Sequence, residues 1–160
     1  MAFSTFSGPI RVGTVREGAA RNTGLVMLSQ SYDSGDLTGT VQGNYDVAAM
    51  ILPAGAQIIN IVIDQVVAAT TGTTTVSVGT ASGGAQLSAA VVTTAGGRFT
   101  GVTTAATQLA WQTSTSADTV VYVRDVVGTG TLGAGRFIVT INYAQKVVNG
   151  TAAIANPVSA

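Results

Sequence analysis

The chain has 160 residues but no histidine, no cysteine and a single lysine, Lys146. Enzymes use histidine most often to move protons, and nucleophilic catalysis by serine, threonine or lysine also needs a neighbouring base. Without cysteine there is no disulfide, so redox conditions have no influence on the fold. The acids are few and scattered: Glu17, Asp33, Asp36, Asp46, Asp64, Asp118 and Asp125. We therefore expect no catalytic residues, no metal ligands and no cofactor.

The chain is also poor in charge. Charged residues make up 9% of it, against about 25% in an ordinary soluble domain, while hydrophobic residues make up 46%. The formal net charge of +0 provides no attraction for nucleic acid. The strongest apolar stretch, Ile58–Ala69, is too short to span a membrane and is interrupted by Asn60 and Asp64. We expect neither nucleic acid nor a membrane as a partner, and a surface that is buried in an oligomer or a lattice.

The abundant residues, Val, Ile, Thr and Gly, are those of strands and turns. The clearest strand is Arg136–Tyr143, whose alternate residues are apolar: Phe137, Val139, Ile141 and Tyr143. Alternation with period two predicts that this face is buried and that the face of Thr140 is wetter. Two further strands are predicted at Ile58–Val67 and Thr119–Asp125. Their predicted inward residues are Ile59, Ile61 and Ile63 in the former and Val121 and Val123 in the latter.

Weaker strands and clear breaks complete this pattern. The weaker strands are predicted at Leu25–Gln30, Tyr45–Leu52, Thr74–Val78, Gln86–Val92 and Gln108–Gln112. Turns are predicted where Gly and Pro cluster: Pro53–Gly55, Thr71–Gly72, Ser82–Gly84, Ala95–Gly97 and Gly128–Gly135. Eight strands at nearly regular spacing predict an all-β fold, with an antiparallel β-sandwich, jelly-roll-like or barrel body.

The two ends of the chain differ from this body. Residues 1–24 hold three of the seven basic residues together with Pro9 and several glycines, and they are predicted to form an extended N-terminal arm. Residues 25–148 are predicted to form the β-sandwich body. Residues 149–160 are mostly small and are predicted to form a C-terminal tail.

The arginines of the arm, Arg11, Arg16 and Arg21, are the candidate binding residues. Their spacing of five fits no helix face, Glu17 lies among them and no aromatic residue is interleaved, so nucleic acid is the weaker interpretation. We interpret them as contacts between a flexible arm and an acidic protein surface. A solvated tail is the remaining alternative.

Two other groups of residues have alternative interpretations. Asp33–Asp36 resembles part of a calcium loop, but the third acid and the terminal Glu of the EF-hand are missing, so a solvated turn is preferred. A sugar-binding platform would require the fold to bring together the aromatic residues Tyr32, Tyr45, Trp111, Tyr122 and Tyr143. Isolated aromatic residues are more often anchors of a core or an interface.

Several segments resemble small virion proteins of tailed bacteriophages. The segments are FSGPIRVGT at 6–14, GLVMLSQ at 24–30, ILPAGAQ followed by IINIVI at 51–63, TVSVGT at 75–80, and the strand at 136–143. They are similar in particular to head decoration or cement proteins, which sit outside the capsid shell and clamp neighbouring major capsid subunits. The resemblance spans about the first half of the chain and the final strand.

This resemblance implies a structural role on the outer surface of the capsid. The partners it implies are the major capsid protein, at junctions between its subunits, and further copies of this chain in a homotrimer. It implies no cofactor and no catalytic residues. One alternative is a tail or fibre module of the virion that binds a host-surface glycan. An enzyme that cleaves polysaccharide is the least favoured alternative, because it would need paired carboxylates in a cleft.

Overall fold

Eight β-strands make up most of the chain that the computed structural model describes, which comprises residues 25–72, 74–101, 111 and 117–146. The strands are β1 (Leu25–Asp33), β2 (Val41–Leu52), β3 (Ala56–Thr70), β4 (Thr74–Gly79), β5 (Ser88–Val92), β6 (Gly97–Thr100), β7 (Thr119–Thr131) and β8 (Ala134–Lys146). The chain divides into a unit of residues 27–145, described below, and a unit of residues 1–26 and 146–160. No helix in the described ranges is long and apolar enough to cross a membrane.

The strands form two antiparallel sheets. Sheet A has the order β1-β8-β3-β6, and sheet B has the order β2-β7-β4-β5. Strands therefore pair from the ends of the chain inwards: β1 with β8, β2 with β7, β3 with β6 and β4 with β5. The described strands thus form one long antiparallel hairpin, whose turn lies between β4 and β5. Its successive strand pairs belong alternately to sheet A and to sheet B. The predicted all-β sandwich is confirmed, and the described strands do not close into a barrel.

The core fills the space between the inner faces of the two sheets. Cross-strand neighbours point to the same face, so alternate residues of each strand meet in the interior. Ile61, for example, lies opposite Ile141 in sheet A, and Val78 lies opposite Val123 in sheet B. The predicted inward residues of the strands at 119–125 and 136–143 are confirmed as buried: Val121, Val123, Phe137, Val139, Ile141 and Tyr143.

The predicted inward face of β3 is wrong at one residue. Ile59 is 45% exposed, whereas Ile58 is buried. The pairing with β8 shifts between Ile58 and Asn60, so Ile59 is the extra residue of a β-bulge. The bulge reverses the alternation and places Ile58 in the inward position that was expected for Ile59. Beyond the bulge, Ile61 and Ile63 are fully buried as predicted.

The glycine-rich segment Gly128–Gly135 is not the long turn that was predicted, because β7 and β8 continue through most of it. Gly130 has a φ of 68°, which favours glycine, and it lies where the pairing of β2 with β7 shifts register. Glycine here accommodates a bulge in a continuous ribbon. Only Leu132 and Gly133 separate the two strands.

One other boundary also differs from the prediction. Strand β6 begins at Gly97, inside the predicted turn Ala95–Gly97, and pairs with β3. The predicted strand Gln108–Gln112 lies outside the described residues except for Trp111, which is not in a strand. The predicted arm, residues 1–24, and tail, residues 149–160, also lie outside the described ranges, so their boundaries stay predictions.

Substitutions on β3 test the bulge. Ile61→Ala is expected to lower the free energy of unfolding by about 2–5 kcal/mol, because it leaves a cavity between the sheets. Ile59→Ala makes the same chemical change two residues away but should cost less than about 1 kcal/mol, because that side chain is nearly half exposed. Thr140→Ala, on the outer face of β8, should change stability by about 0.5 kcal/mol or less. Denaturant titrations measure all three, and equal losses for Ile59→Ala and Ile61→Ala would contradict this register.

Candidate functional site

The predicted site residues, Arg11, Arg16 and Arg21, lie outside the described residues, and their role in binding stays a prediction. The described part of the chain offers two outer sheet faces, the free sheet edges and a cavity. These four regions have different chemistry.

The outer face of sheet A carries polar and apolar side chains, since Val62 lies opposite Thr140 and Ile138 lies opposite Asp64. Asn60 lies opposite Asn142, and the exposed edge of this face carries an ion pair between Asp64 and Arg98. Arg98 donates two hydrogen bonds to the carboxylate, Nε to Oδ1 at 2.6 Å and Nη2 to Oδ2 at 3.1 Å. These bonds raise the pKa of Arg98 above its usual value. Ile59, Val66 and Val67 are also exposed on β3, so this face is not polar throughout.

The outer face of sheet B has a polar part and an apolar part. Cross-strand register places Ile51 beside Val120, with Ile51 56% exposed and Val120 also exposed. We define the apolar outer face by four neighbouring outward residues, Ala48, Ile51, Val120 and Tyr122; beyond them the face carries the charged residues Asp46 and Arg124. Exposed apolar residues that lie together, rather than singly, mark surfaces that bind other proteins.

The edge strands β1 and β2 carry further exposed apolar side chains. Met27 and Leu28 are exposed on β1, and Val41 is exposed on β2. Among the described strands, β1 and β2 each have a hydrogen-bonded neighbour on one side only. A strand edge presents backbone groups to solvent and is a place where another chain can associate. The two edges thus extend the surface that is suited to contact with protein.

A cavity opens between these two edge strands. Its volume is about 220 Å³. Its walls are Tyr32 and Phe137 from sheet A, Tyr45, Val47, Val123 and Asp125 from sheet B, and Ser34, Leu37 and Thr40 from the connection between β1 and β2. Tyr45 and Val47 lie opposite buried residues and so face the interior, yet they are 37% and 39% exposed. Their exposure identifies the mouth of the cavity.

Asp125 places a buried carboxyl group in the wall of this cavity. The residue is only 5% exposed, and its Oδ1 atom is buried without a hydrogen-bond partner. Burial raises the pKa of Asp125 to about 6, because the ionised form loses its hydration. Burial, together with the nearby charges of Asp125 and Asp33, also raises the pKa of Tyr32. The cavity is therefore apolar over most of its surface but holds a group that favours a positive partner.

Sequence reasoning missed Asp125 as a site residue, although a signal was present. The same alternation that predicts Val121 and Val123 on the inner face of β7 also places Asp125 on that face. A charged residue in an inward position of a strand is unusual and indicates either a partner or a function.

The connection between β1 and β2 closes one side of the cavity and is held firmly. Arg136 donates from Nη2 to Oδ2 of Asp33 at 2.5 Å and from Nε to Oδ1 at 3.1 Å. The hydrogen bond from Arg136 is the main reason why the pKa of Asp33 is lowered to about 2. The backbone amide of Leu37 also donates to the carbonyl of Gly135 at 2.9 Å. The segment is thus tied to β8 at both of these points.

These contacts also account for the acids of Asp33–Asp36. Asp33 accepts hydrogen bonds from Arg136 and from the amide of Gly35, while Asp36 accepts from the amide and hydroxyl of Thr38. Their oxygens are therefore directed at donors of the protein, as in the preferred interpretation of an exposed turn. No group of three or more His, Cys, Asp or Glu residues that could hold a metal ion occurs within the described ranges.

The structure does not gather the aromatic residues into a platform. Tyr32 packs against Phe137 with ring centroids 6.3 Å apart, and Trp111 donates from Nε1 to the carbonyl of Leu87 at 2.7 Å. Tyr45 lies at the mouth of the cavity, whereas Tyr122 lies on the apolar outer face. These side chains serve different parts of the molecule.

The carboxylates are dispersed in the same way. Asp46 is on the outer face of sheet B, where its Oδ1 accepts a hydrogen bond from the amide of Gly83 at 2.9 Å. Asp64 is on the outer face of sheet A, and Asp125 is between the sheets. These three carboxylates therefore do not flank a common cleft.

Neither a family model nor a curated protein matches the chain. Among the solved structures to which the chain is similar are chains of three phage capsids. With a chain of the acidic stable capsid of Helicobacter pylori bacteriophage KHP30 it shares 15% identity and a TM-score of 0.49, over 75% of this chain and 92% of that one. For the capsid of Ralstonia phage GP4 the values are 20% and 0.46, over 86% and 92%. For the cyanophage Pam1 capsid they are 19% and 0.41, over 88% and 97%.

Asp125→Asn tests the cost of the buried carboxylate. The pKa of Asp125 rises from 3.8 to about 6 on folding, so between these values the folded chain binds more protons than the unfolded chain. The free energy of unfolding should therefore fall as the pH rises through this window, by about 1–3 kcal/mol, and stay low above it. Asp125→Asn should remove this loss and be the more stable protein near neutral pH. Denaturant titrations across this range measure it, and parallel pH profiles for the two proteins would show that Asp125 is not responsible.

Proposed function

We propose that this chain is a structural protein of a tailed-phage virion that decorates the capsid from outside and cements junctions between major capsid proteins. The observation that carries the proposal is the apolar outer face of sheet B, beside edge strands with exposed apolar residues, in a chain with only 9% charged residues. Such a surface favours a permanent partner over water. The sequence segments that resemble head decoration proteins support the major capsid protein as this partner.

The four neighbouring apolar residues on sheet B support an orientation on the capsid. In this proposal the apolar outer face of sheet B rests on the shell, and the Asp64–Arg98 pair on sheet A meets water. A stable contact of this kind buries on the order of 1,200–2,000 Å² in total. Ala48 and Val120 have few rotamers to lose, so docking orders little side-chain freedom. Many copies on one lattice would convert modest affinity into avidity.

The strand order supports a jelly roll as the body of the protein. Eight strands in two sheets, paired from the ends of the chain inwards, correspond to the two Greek keys of jelly rolls, which occur in viral capsid and lectin domains. This topology is shared by proteins of different function, so it supports the architecture of the body and not the role by itself.

We also propose that Arg11, Arg16 and Arg21 contact the capsid and that the protein is a homotrimer. The arm holds three of the seven basic residues against the single acid Glu17, so it carries an excess of positive charge that an acidic protein surface would attract. Self-association would cover part of the exposed apolar area that the capsid contact leaves free.

Ile51→Asp tests the docking face. A charge in the apolar outer face would have to be buried without a partner, so binding to capsids that lack the protein should weaken about tenfold or more. Thr100→Asp places the same charge on the outer edge of sheet A and is expected to bind as the unmodified protein does. Co-sedimentation with purified capsids gives both affinities, and circular dichroism shows whether each variant is folded. Equal affinities for two folded variants would exclude sheet B as the docking face.

Deletion of residues 1–21 tests the arm. All described strands lie beyond this segment, so the body should keep its thermal stability while capsid binding weakens because the three arginines are lost. Unfolding of the truncated chain would show that the segment belongs to the core.

Light scattering on the full chain at micromolar concentration should give the mass of a trimer. A stable monomer would refute the homotrimer.

A further inference from the structure

The cavity between β1 and β2 combines an apolar lining with a buried carboxylate whose Oδ1 has no hydrogen-bond partner. We propose that this cavity is a binding site for an aliphatic cation that carries N–H donors, the chemical group at the end of an arginine or lysine side chain. The proposal concerns a site inside the sandwich and does not depend on a role in the capsid.

The first argument is the buried carboxylate of Asp125, whose Oδ1 atom has no hydrogen-bond partner. Burying a carboxylate without a donor is costly, and natural proteins rarely keep such a group unless something pairs with it. The described arginines do not pair with Asp125. Arg98 and Arg136 bind Asp64 and Asp33, and Arg124 points to the outer face of sheet B. A donor that enters the cavity can pair with the carboxylate of Asp125, which lines it.

The second argument is the rest of the lining. Tyr32, Tyr45 and Phe137 provide aromatic rings, and cations are attracted to the faces of such rings. Val47 and Leu37 provide aliphatic surface along which the methylene stem of a long basic side chain can pack. Carboxylate, rings and aliphatic surface together match both the charged end and the apolar stem of such a group.

The same lining disfavours other ligands. An anion would be repelled by Asp125. A divalent metal ion would require about six oxygen ligands, whereas the hydroxyl of Ser34 is already engaged with the amide of Phe137 and the carbonyl of Gly35. A quaternary ammonium ion has no N–H group and would leave Oδ1 without a donor. A cation with N–H donors can both balance the charge of Asp125 and donate to its carboxylate.

The mouth makes the site accessible. Tyr45 and Val47 line the cavity and are both partly exposed, so a side chain entering between β1 and β2 would pass them before it reaches Asp125. The connection above the cavity is held to β8 by the bonds of Asp33 and Leu37, so the opening has a defined position. The site is thus formed before a ligand arrives, which lowers the entropy lost on binding.

Titration of the full-length protein with n-butylguanidinium, followed by calorimetry or by NMR shifts, tests the proposal. We expect saturable binding of one ligand per chain and a loss of about tenfold or more in affinity with Asp125→Asn, which removes the charge but keeps the shape. Asp46→Asn is the matched control: it removes a carboxylate from the outer face of the same sheet, its amide oxygen can still accept from Gly83, and its affinity should be unchanged.

Two further probes separate charge from shape. Pentanol offers an apolar chain without charge, and tetramethylammonium offers charge without N–H donors. Both should bind more weakly than n-butylguanidinium, and neither should respond to Asp125→Asn as strongly. Equal binding of pentanol, or equal affinity of n-butylguanidinium for the Asp125→Asn and unmodified proteins, would overturn the proposal and leave an apolar cavity only.

A pH series adds a second readout. The affinity for n-butylguanidinium should fall as the pH is lowered through about 6, where Asp125 takes up a proton, and Asp125→Asn should abolish this dependence. The other ionisable groups around the cavity are Tyr32, Tyr45 and the Asp33–Arg136 pair, and all of them remain in the variant. A pH dependence that persists in Asp125→Asn would contradict the assignment.

A peptide ligand distinguishes the two possible sources of the cation, a protein side chain and a free small molecule. Acetyl-Gly-Arg-Gly-amide presents the same guanidinium on a polypeptide backbone. Tighter binding of this peptide than of n-butylguanidinium identifies a protein side chain as the natural occupant, and weaker binding identifies a free small cation. If neither compound binds, the site does not recognise aliphatic cations and the proposal fails.

Discussion

Alternate residues of two four-stranded sheets are packed against each other, and this packing determines which side chains remain for the surface. Ile61, Val78 and Val139 are fully buried, so their neighbours on each strand are directed outwards. Because side chains alternate between the two faces of a strand, the polarity of each outer face is set by the residues in the intervening positions. On sheet A they include both Asp64 and Ile138. On sheet B they include Ile51 and Val120 at one end and Asp46 and Arg124 in the middle.

The cavity arises where this packing is incomplete. Between the edge strands β1 and β2 the two sheets are not closed over their inward residues, so Tyr45 and Val47 remain partly exposed. Asp125 occupies the next inward position of β7 beyond Val123, at the place where a further aliphatic residue would have completed the core. The same alternation that builds the core therefore also places a carboxylate in an apolar environment and raises its pKa.

Local alternation made much of this predictable. The inward residues of Arg136–Tyr143 and of Thr119–Asp125 follow from the sequence, because each strand carries its own pattern of period two. The bulge at Ile59 does not follow, because it depends on the register with β8, a strand far along the chain. The apolar outer face could not be predicted from the sequence either, because Ile51 and Val120 are neighbours only through the pairing of β2 with β7. The inward position of Asp125 could have been predicted from the sequence, since the pattern that predicts Val121 and Val123 extends to it.

The pairing of strands from the chain ends inwards has a consequence for biosynthesis. Of the described strands, β8 is the last to be made, yet it lies inside sheet A between β1 and β3, and β7 lies inside sheet B between β2 and β4. A nascent chain that ends before these strands can complete neither sheet, and β1 must wait for β8 across nearly the whole length of the body. Folding of the sandwich therefore follows the synthesis of β8 and is expected to be slow, because distant segments must meet before the core is complete. Until then the apolar faces of β1 to β4 stay open to solvent, where they are prone to aggregate.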